Sequence, residues 1–386
     1  MLLTSMISPS LKIVLQFLGV WPDMPYTFFR RLILMSSILI VHYFQQLYLF
    51  ANYKFSELQN LISPLAVTIY YIMTILKLTT LWVNRRMIRK ILTAMDTDWR
   101  ECVKIDQHLH LMRTRASNSH FCTIVLLSFD ILTAMIYYGA DNAIAIIHVV
   151  KGDNYTSRPF PMKVLFPFEA EQSPFYELLV VLLFLNGVLT ACTVGAINGL
   201  IFSLVFHVSG QIDIIYHELK TMSVKVSYNG SAEFTIQMLV EKHNKVIEFA
   251  NNVDKLYSFI TFLQVFPNTS VICLLAVIAI TSIYSENDVG LVQSGLAYIA
   301  ITAEIFIYCF IGEYLGTKSR SLADAGYDSL WYNMSPSYSK NILFIIMRSQ
   351  KQLTITAGGL MNLSLEVFTS IMKTSASFIS VLNATY

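Results

Sequence analysis

Charged side chains are the scarcest commodity in this sequence: Asp, Glu, Lys and Arg make up 13% of 386 residues, where an ordinary soluble domain carries about 25%. That shortage excludes a soluble globular domain and a charge-rich disordered chain alike. Cysteine is sparse too. Cys102, Cys122, Cys192, Cys273 and Cys309 are odd in number and four lie in apolar stretches, so neither a disulfide framework nor a metal site is expected. There is no Gly-rich phosphate loop, no Cys-x-x-Cys pair and no His-Glu-x-x-His helix, so neither an enzyme nor a cofactor is expected. No internal repeat marks the chain as a transporter of inverted halves. No cleavable signal is seen, because the apolar run Leu11 to Val20 is short and meets Trp21-Pro22 instead of a small-residue cleavage site. That run is expected to lie as an interfacial helix.

What the chain does contain is hydrophobic surface, 55% of its residues. Seven stretches are long enough to cross a bilayer: Leu32 to Phe50, Leu61 to Val83, Phe121 to Val150, Phe175 to His207, Leu256 to Tyr284, Val289 to Ile311 and Leu353 to Leu382. Spans three to five exceed the ~20 residues a bilayer needs and are expected to project or tilt. Residues 84–115 and 231–255 mix charges with helically spaced apolar residues and are read as cytosolic continuations of membrane helices. The segments between spans hold 21 Lys and Arg on the side of the N-terminus and 4 on the other. Basic residues stay inside. The expected fold is therefore all-α and polytopic, with seven transmembrane helices, a cytoplasmic N-terminus and an extracellular C-terminus. Asn154, in the sequon Asn154-Tyr155-Thr156, then falls in an outer loop where glycosylation is expected.

In the last span Asn362, Glu366, Thr369, Lys373, Ser377, Ser380 and Ala384 recur every three or four residues and stack along one helical face. Hydrocarbon solvates neither charge nor hydroxyl, so that face must meet protein or water. Helix packing and a pore wall both satisfy this. Of the other intramembrane charges, Lys77 is expected to snorkel toward the inner headgroups and Glu304 to be buried against another helix. The outer halves of the spans carry Val67, Tyr70 and Tyr71; Met135, Tyr138, Gly139 and Asn142; Phe184 and Gly187; and Tyr298 with Thr302. Aromatic and aliphatic walls with a few polar groups suit a small, mostly apolar ligand. Ordinary bundle packing or an interfacial aromatic belt accounts for them as well.

Two stretches carry a more specific signal. Phe306-Ile307-Tyr308-Cys309-Phe310-Ile311-Gly312-Glu313-Tyr314-Leu315 is followed by Ser321-Leu322-Ala323-Asp324-Ala325-Gly326-Tyr327. Then come Lys340-Asn341-Ile342-Leu343-Phe344-Ile345-Ile346-Met347-Arg348-Ser349-Gln350-Lys351 and Leu353-Thr354-Ile355-Thr356-Ala357-Gly358. Over residues 306–382 the chain closely resembles insect odorant receptors. The resemblance implies a ligand-specific subunit of a tetrameric, odorant-gated cation channel in the plasma membrane of a sensory neuron, assembled with a shared co-receptor subunit. It implies a bundle with an outer ligand pocket over residues 1–352, with an anchor of about 209–255 and 312–352 where subunits meet. Residues 353–386 would supply the pore helix and tail. By the same resemblance Val381 falls on the hydrophobic gate, Ala384 and Thr385 lie just outside it, and Lys373 and Ser377 line the pore. Gln352 replaces a common Pro and Ala376 a common Tyr. A G-protein-coupled receptor is the rival, but it needs the opposite orientation, and neither Asp-Arg-Tyr nor Asn-Pro-x-x-Tyr occurs.

Overall fold

A computed structural model of the chain describes residues 5–52, 58–151, 158–229, 232–285, 288–329 and 331–385. Asn154 lies outside the described residues. The helices are α1 (Pro9–Phe17), α2 (Thr27–Ala51), α3 (Leu58–Val83), α4 (Arg85–Cys102), α5 (Asp106–Lys151), α6 (Phe175–Asn229), α7 (Ala232–Tyr284), α8 (Asp288–Tyr327), α9 (Pro336–Gln350) and α10 (Leu365–Thr385). The fold is an all-α, multi-pass membrane bundle. Helices α2, α3 and α5 to α8 are each long and apolar enough to span a bilayer. The more polar α10 has 21 residues, about 31 Å at 1.5 Å per residue, which matches the ~30 Å hydrocarbon core.

Helices α5, α6 and α7 run for 46, 55 and 53 residues, about 70 to 80 Å. Each is more than twice the ~30 Å hydrocarbon core, so each projects well beyond the bilayer. Polar contacts knit the projecting parts together: Arg115 of α5 meets Asp213 of α6 at 2.5 Å, Lys318 of α8 reaches the same carboxylate at 2.8 Å, and His108 meets Glu218 at 2.9 Å. The first half of α7 continues the fifth span as one helix, as expected. Residues 84–115 divide: residues 106–115 do continue the third span as the start of α5, but the chain breaks at Asn84 and again at Val103, which makes α4 a separate helix. Its Ile88, Ile91, Met95, Trp99 and Cys102 turn inward at helical spacing, and Asp98 ties it to His207 of α6 at 2.9 Å.

Apolar attraction cannot drive helices together in lipid, so close approach and polar contacts must. On α6 the small residues Gly187, Ala191, Gly195 and Gly199 repeat every fourth position, and α5 lies along them in the antiparallel sense. A Cβ at 187 would enter the Tyr138 ring, one at 195 would reach Asp130 Oδ2 at 2.8 Å, and one at 199 would reach Thr123 at 2.8 Å. The antiparallel α5–α6 pair is thereby the closest-packed seam that positions the cavity described below.

Two expectations about the ends of the chain change. Leu11 and Leu15 of α1 are fully buried in the bundle while Ile13 and Phe17 face out, so α1 is docked on the bundle as well as amphipathic. Arg30 donates to Gln16 O at 3.0 Å, Arg31 donates to Gly19 O at 2.7 Å, and Trp82 donates to Leu18 O at 3.0 Å, holding its C-terminal end. At the other end, the helix expected from Leu353 begins only at Leu365. Residues 353–364 instead form a β-hairpin of β1 (Thr356–Ala357) and β2 (Met361–Asn362), with Thr356 opposite Asn362. Gly358 and Gly359 turn it at φ +62° and +71°, a region that L side chains occupy only with strain. Asp254 of α7 accepts from Thr356 N at 2.7 Å and from its hydroxyl at 2.9 Å, and Gly358 N donates to Ser258 O at 2.8 Å. The hairpin is thus stitched to α7, and Asn362 leaves the polar stripe that the sequence suggested.

Candidate functional site

Five helices enclose a cavity of about 90 Å³ in the membrane-spanning part of the bundle. Each contributes at helical spacing: Ala66, Val67 and Tyr70 from α3; Asp130, Thr133, Ala134, Tyr137 and Tyr138 from α5; Gly187 and Ala191 from α6; Val271 and Leu275 from α7; Ala297, Ala300, Ile301 and Glu304 from α8. Alanine and glycine are what leave the space, and the tyrosines and branched residues form its walls. A second, larger cavity of about 300 Å³ lies against it, and Val67 and Tyr137 line both. Its other walls include Tyr48, Asp141, Phe160 and Gln293. Gln293 donates to Asp141 Oδ2 at 3.1 Å and to Tyr137 O at 3.0 Å, which fixes the backbone of the dividing tyrosine.

The floor of the inner cavity is polar. Lys77 Nζ lies 3.8 Å from Glu304 Oε2 and donates to Gln264, and Gln264 in turn donates to Glu304. Asn268 reaches the same carboxylate at 3.5 Å. Lys77 and Glu304 are 2% and 4% exposed, so the pair is fully removed from solvent and Lys77 does not snorkel. Pairing outweighs snorkelling here because α7 offers Gln264 and Asn268 one turn apart as extra partners, and a buried charge persists only with partners. Asp130 joins the floor from α5 without any hydrogen bond among the described residues, its Oδ2 buried and unpartnered.

Of the residues singled out by sequence, Val67, Tyr70, Tyr138 and Gly187 come together on the cavity wall. The other seven do not line it. Tyr71 is fully buried and donates to Asn186 at 3.1 Å, behind the wall. Met135 is 48% exposed and turns outward from the bundle, since it lies off the α5 face on which Asp130, Ala134 and Tyr137 line the cavity. Gly139 and Phe184 sit against each other, 3.5 Å from a Cβ at 139. Asn142 accepts from Tyr176 OH at 3.4 Å above the cavity. Tyr298 is half-buried beside the lining residue Ala297, and the Thr302 hydroxyl is buried without a hydrogen-bond partner among the described residues. Sequence reasoning missed the contribution of α7 and of Asp130; Glu304 is buried against another helix as expected, but its place in the cavity floor was not foreseen. A usable signal existed, because ionisable and amide side chains inside spans three, five and six mark a site by their cost alone.

On α10 the two faces differ sharply. Val367, Phe368, Ile371 and the buried Ser375 pack on the bundle, where Phe368 meets Phe306 of α8 at 5.3 Å. Glu366, Thr369, Lys373, Ser377 and Ser380 all point away from it, and Val381 is 62% exposed. The side chains of Ala384 and Thr385 lie outside the described residues, though both positions belong to α10. A helix whose polar stripe faces away from its own subunit is unlike one whose stripe serves internal packing.

A family model described as 7tm Odorant receptor matches residues 57–376, more than four-fifths of the chain. The chain belongs to the odorant receptor family. Among its relatives, Odorant receptor 22c of Drosophila melanogaster is 26% identical over 238 residues, 58% of this chain and 57% of that protein. Odorant receptor 10 of Aedes albopictus is 21% identical over 347 residues, 88% of each. The olfactory receptor OR5 of Machilis hrabei, solved with eugenol, superposes with a TM-score of 0.80 over 98% of both chains at 14% identity. Its structure without that title ligand gives 0.75 over 97% of this chain and 96% of the other, at 16% identity. At such identity the shared property is the odorant receptor fold.

Proposed function

We propose that this odorant receptor is a ligand-specific subunit of an odorant-gated, non-selective cation channel, assembled with co-receptor subunits, four subunits around one pore, in the plasma membrane. The observation that carries this reading is the outward polar stripe of α10, Glu366, Thr369, Lys373, Ser377 and Ser380. Hydrocarbon solvates none of these, so copies of α10 grouped about a common axis, with water between them, satisfy them best. Val381 extends the same exposed surface and would supply an apolar ring that closes by dewetting, with Ala384 and Thr385 at the mouth. The 21 to 4 division of basic residues places the N-terminus and the long helical extensions in the cytosol. There the region formed by 209–255 and 312–352 would bear the subunit contacts.

The ligand seat in this reading is the inner cavity, walled by Val67, Tyr70, Tyr138 and Gly187. Likeness to a receptor solved with eugenol supports a small organic occupant. A ligand would pass from the outer cavity between Val67 and Tyr137, which line both spaces. Two of the lining helices, α7 and α8, also carry α10 on their outer side, so tightening around a ligand reaches the pore helix through direct packing. The ligand opens the pore only to the extent that it binds the open arrangement more tightly. Recording from cells that express this chain with and without a co-receptor, with G-protein signalling blocked, tests the whole reading. Agonist-evoked current is expected only with both chains. Lys373→Glu is expected to change ion selectivity for every agonist alike, and a response abolished by the G-protein block would sink the channel assignment.

A further inference from the structure

The floor of the inner cavity holds two carboxylates, Asp130 and Glu304, but one ammonium, Lys77. Glu304 is satisfied by Lys77, Gln264 and Asn268. Asp130 is not. It is 9% exposed, receives no hydrogen bond among the described residues, and its Oδ2 lies over Gly195, the residue whose missing side chain makes room for the carboxyl. Such a group is costly: a buried polar atom without a partner loses its hydration with nothing in return, and a charged one loses more. Lys77 acts on it electrostatically, but the ammonium donates to Gln264 and pairs with Glu304, and no other described neighbour donates to it. Thr133 and Ala134 follow it on α5, Ala191 and Gly195 face it from α6, and Val271 lies across on α7. The hydroxyls that line the same cavity, on Thr133, Tyr70, Tyr137 and Tyr138, make no hydrogen bond to it among the described residues.

Resting on the reading of this cavity as the ligand seat, we propose that it selects small molecules with an apolar body and one hydrogen-bond-donating head, a hydroxyl or a protonated amine, which docks on the Asp130 carboxyl. The body then lies between Val67, Tyr70, Tyr138 and Ile301, and the head takes the place beside Asp130 Oδ2 that no described donor fills. A molecule of equal size that can only accept leaves Asp130 as it is and brings a second unpaired acceptor beside it. Discrimination by a buried polar group of this kind exceeds what shape alone provides.

Purified full-length protein in detergent, titrated with hexanol, hexylamine and methyl pentyl ether, tests this, because the three have the same number of heavy atoms and differ in their head. Wild type is expected to bind at least one of the two donors about tenfold or more tightly than the ether. In Asp130→Leu, a change that keeps the branching and heavy-atom count of the side chain but removes the acceptor, the ratio is expected to fall to within about twofold. Asp130→Asn, which keeps a carbonyl acceptor and no charge, is expected to retain hexanol binding and lose hexylamine binding. Equal affinity for alcohol, amine and ether in wild type would overturn the donor rule while leaving the cavity as the ligand seat. A preference that survives Asp130→Leu but vanishes in Glu304→Gln would overturn the assignment to Asp130. Binding of all three probes unchanged by both Asp130→Leu and Gly187→Phe would instead overturn the cavity itself as the seat.

Discussion

Gly187 is where one missing side chain decides the shape of the ligand cavity. The Tyr138 ring lies flat against it, and a Cβ there would overlap the ring. In Gly187→Ala the ring must swing toward the cavity centre, and overpacking of this sort costs about 1–3 kcal/mol. Agonist potency is therefore expected to fall by about tenfold, with single-channel conductance unchanged, as dose–response and unitary recordings would show. At the same scale, Lys77 shows how an isolated side chain misleads. Its position near the inner end of α3 suggests snorkelling, and only the neighbouring α7 and α8 reveal that Gln264 and Glu304 hold it inside. Tyr70 and Tyr71 make the same point: adjacent in sequence, one lines the cavity and the other is hydrogen-bonded to Asn186 behind it.

The β-hairpin between α9 and α10 is the element through which the pore helix is fastened to the rest. Asp254 accepts both hydrogen bonds that Thr356 offers, and Thr261 donates to Thr356 O at 2.6 Å. Removing a charged acceptor that serves two donors costs about 1.5–3 kcal/mol. Asp254→Ala is expected to lower the melting temperature of the purified protein by several degrees and to reduce the maximal response to every agonist. Asp254→Asn, which keeps one acceptor, should recover part of both. The hairpin was concealed in the sequence by its composition. Leu353, Ile355, Leu360 and Leu363 extend the apolar run of the last span, and a two-residue strand pairing leaves too short an alternation to read. The paired glycines, each at positive φ, were the available clue to a turn.

For the whole molecule, the decisive question is which surfaces meet water in the assembly. Cysteines placed at Thr369, Lys373 and Ser377, on the exposed face of α10, are expected to react with a charged thiol reagent and to block agonist-evoked current. A cysteine at Ser375, on the buried face, is expected to stay silent, and equal reactivity at all four would mean that α10 does not line a pore. Among the native thiols, Cys102 adds little background, because burial pushes its thiol up from the usual range and keeps it protonated. Wild-type protein serves as the control for the other four.

The sequence by itself determined the class of molecule: too little charge for a soluble domain, seven long apolar stretches, an asymmetry of basic residues between them, and the C-terminal signature that the odorant receptor family shares. Those are properties of composition and local periodicity, which the bilayer reads one helix at a time. Only the tertiary structure decided which of the outer tyrosines share a cavity, that Asp130 stands there without a hydrogen bond among the described residues, and that the stripe of α10 faces away from its own subunit. Those depend on the rotation and depth of each helix against its neighbours. In lipid these are set by small-residue contacts such as Gly187 with Tyr138 and by buried polar pairs such as Lys77 with Glu304, both of which join residues more than forty positions apart.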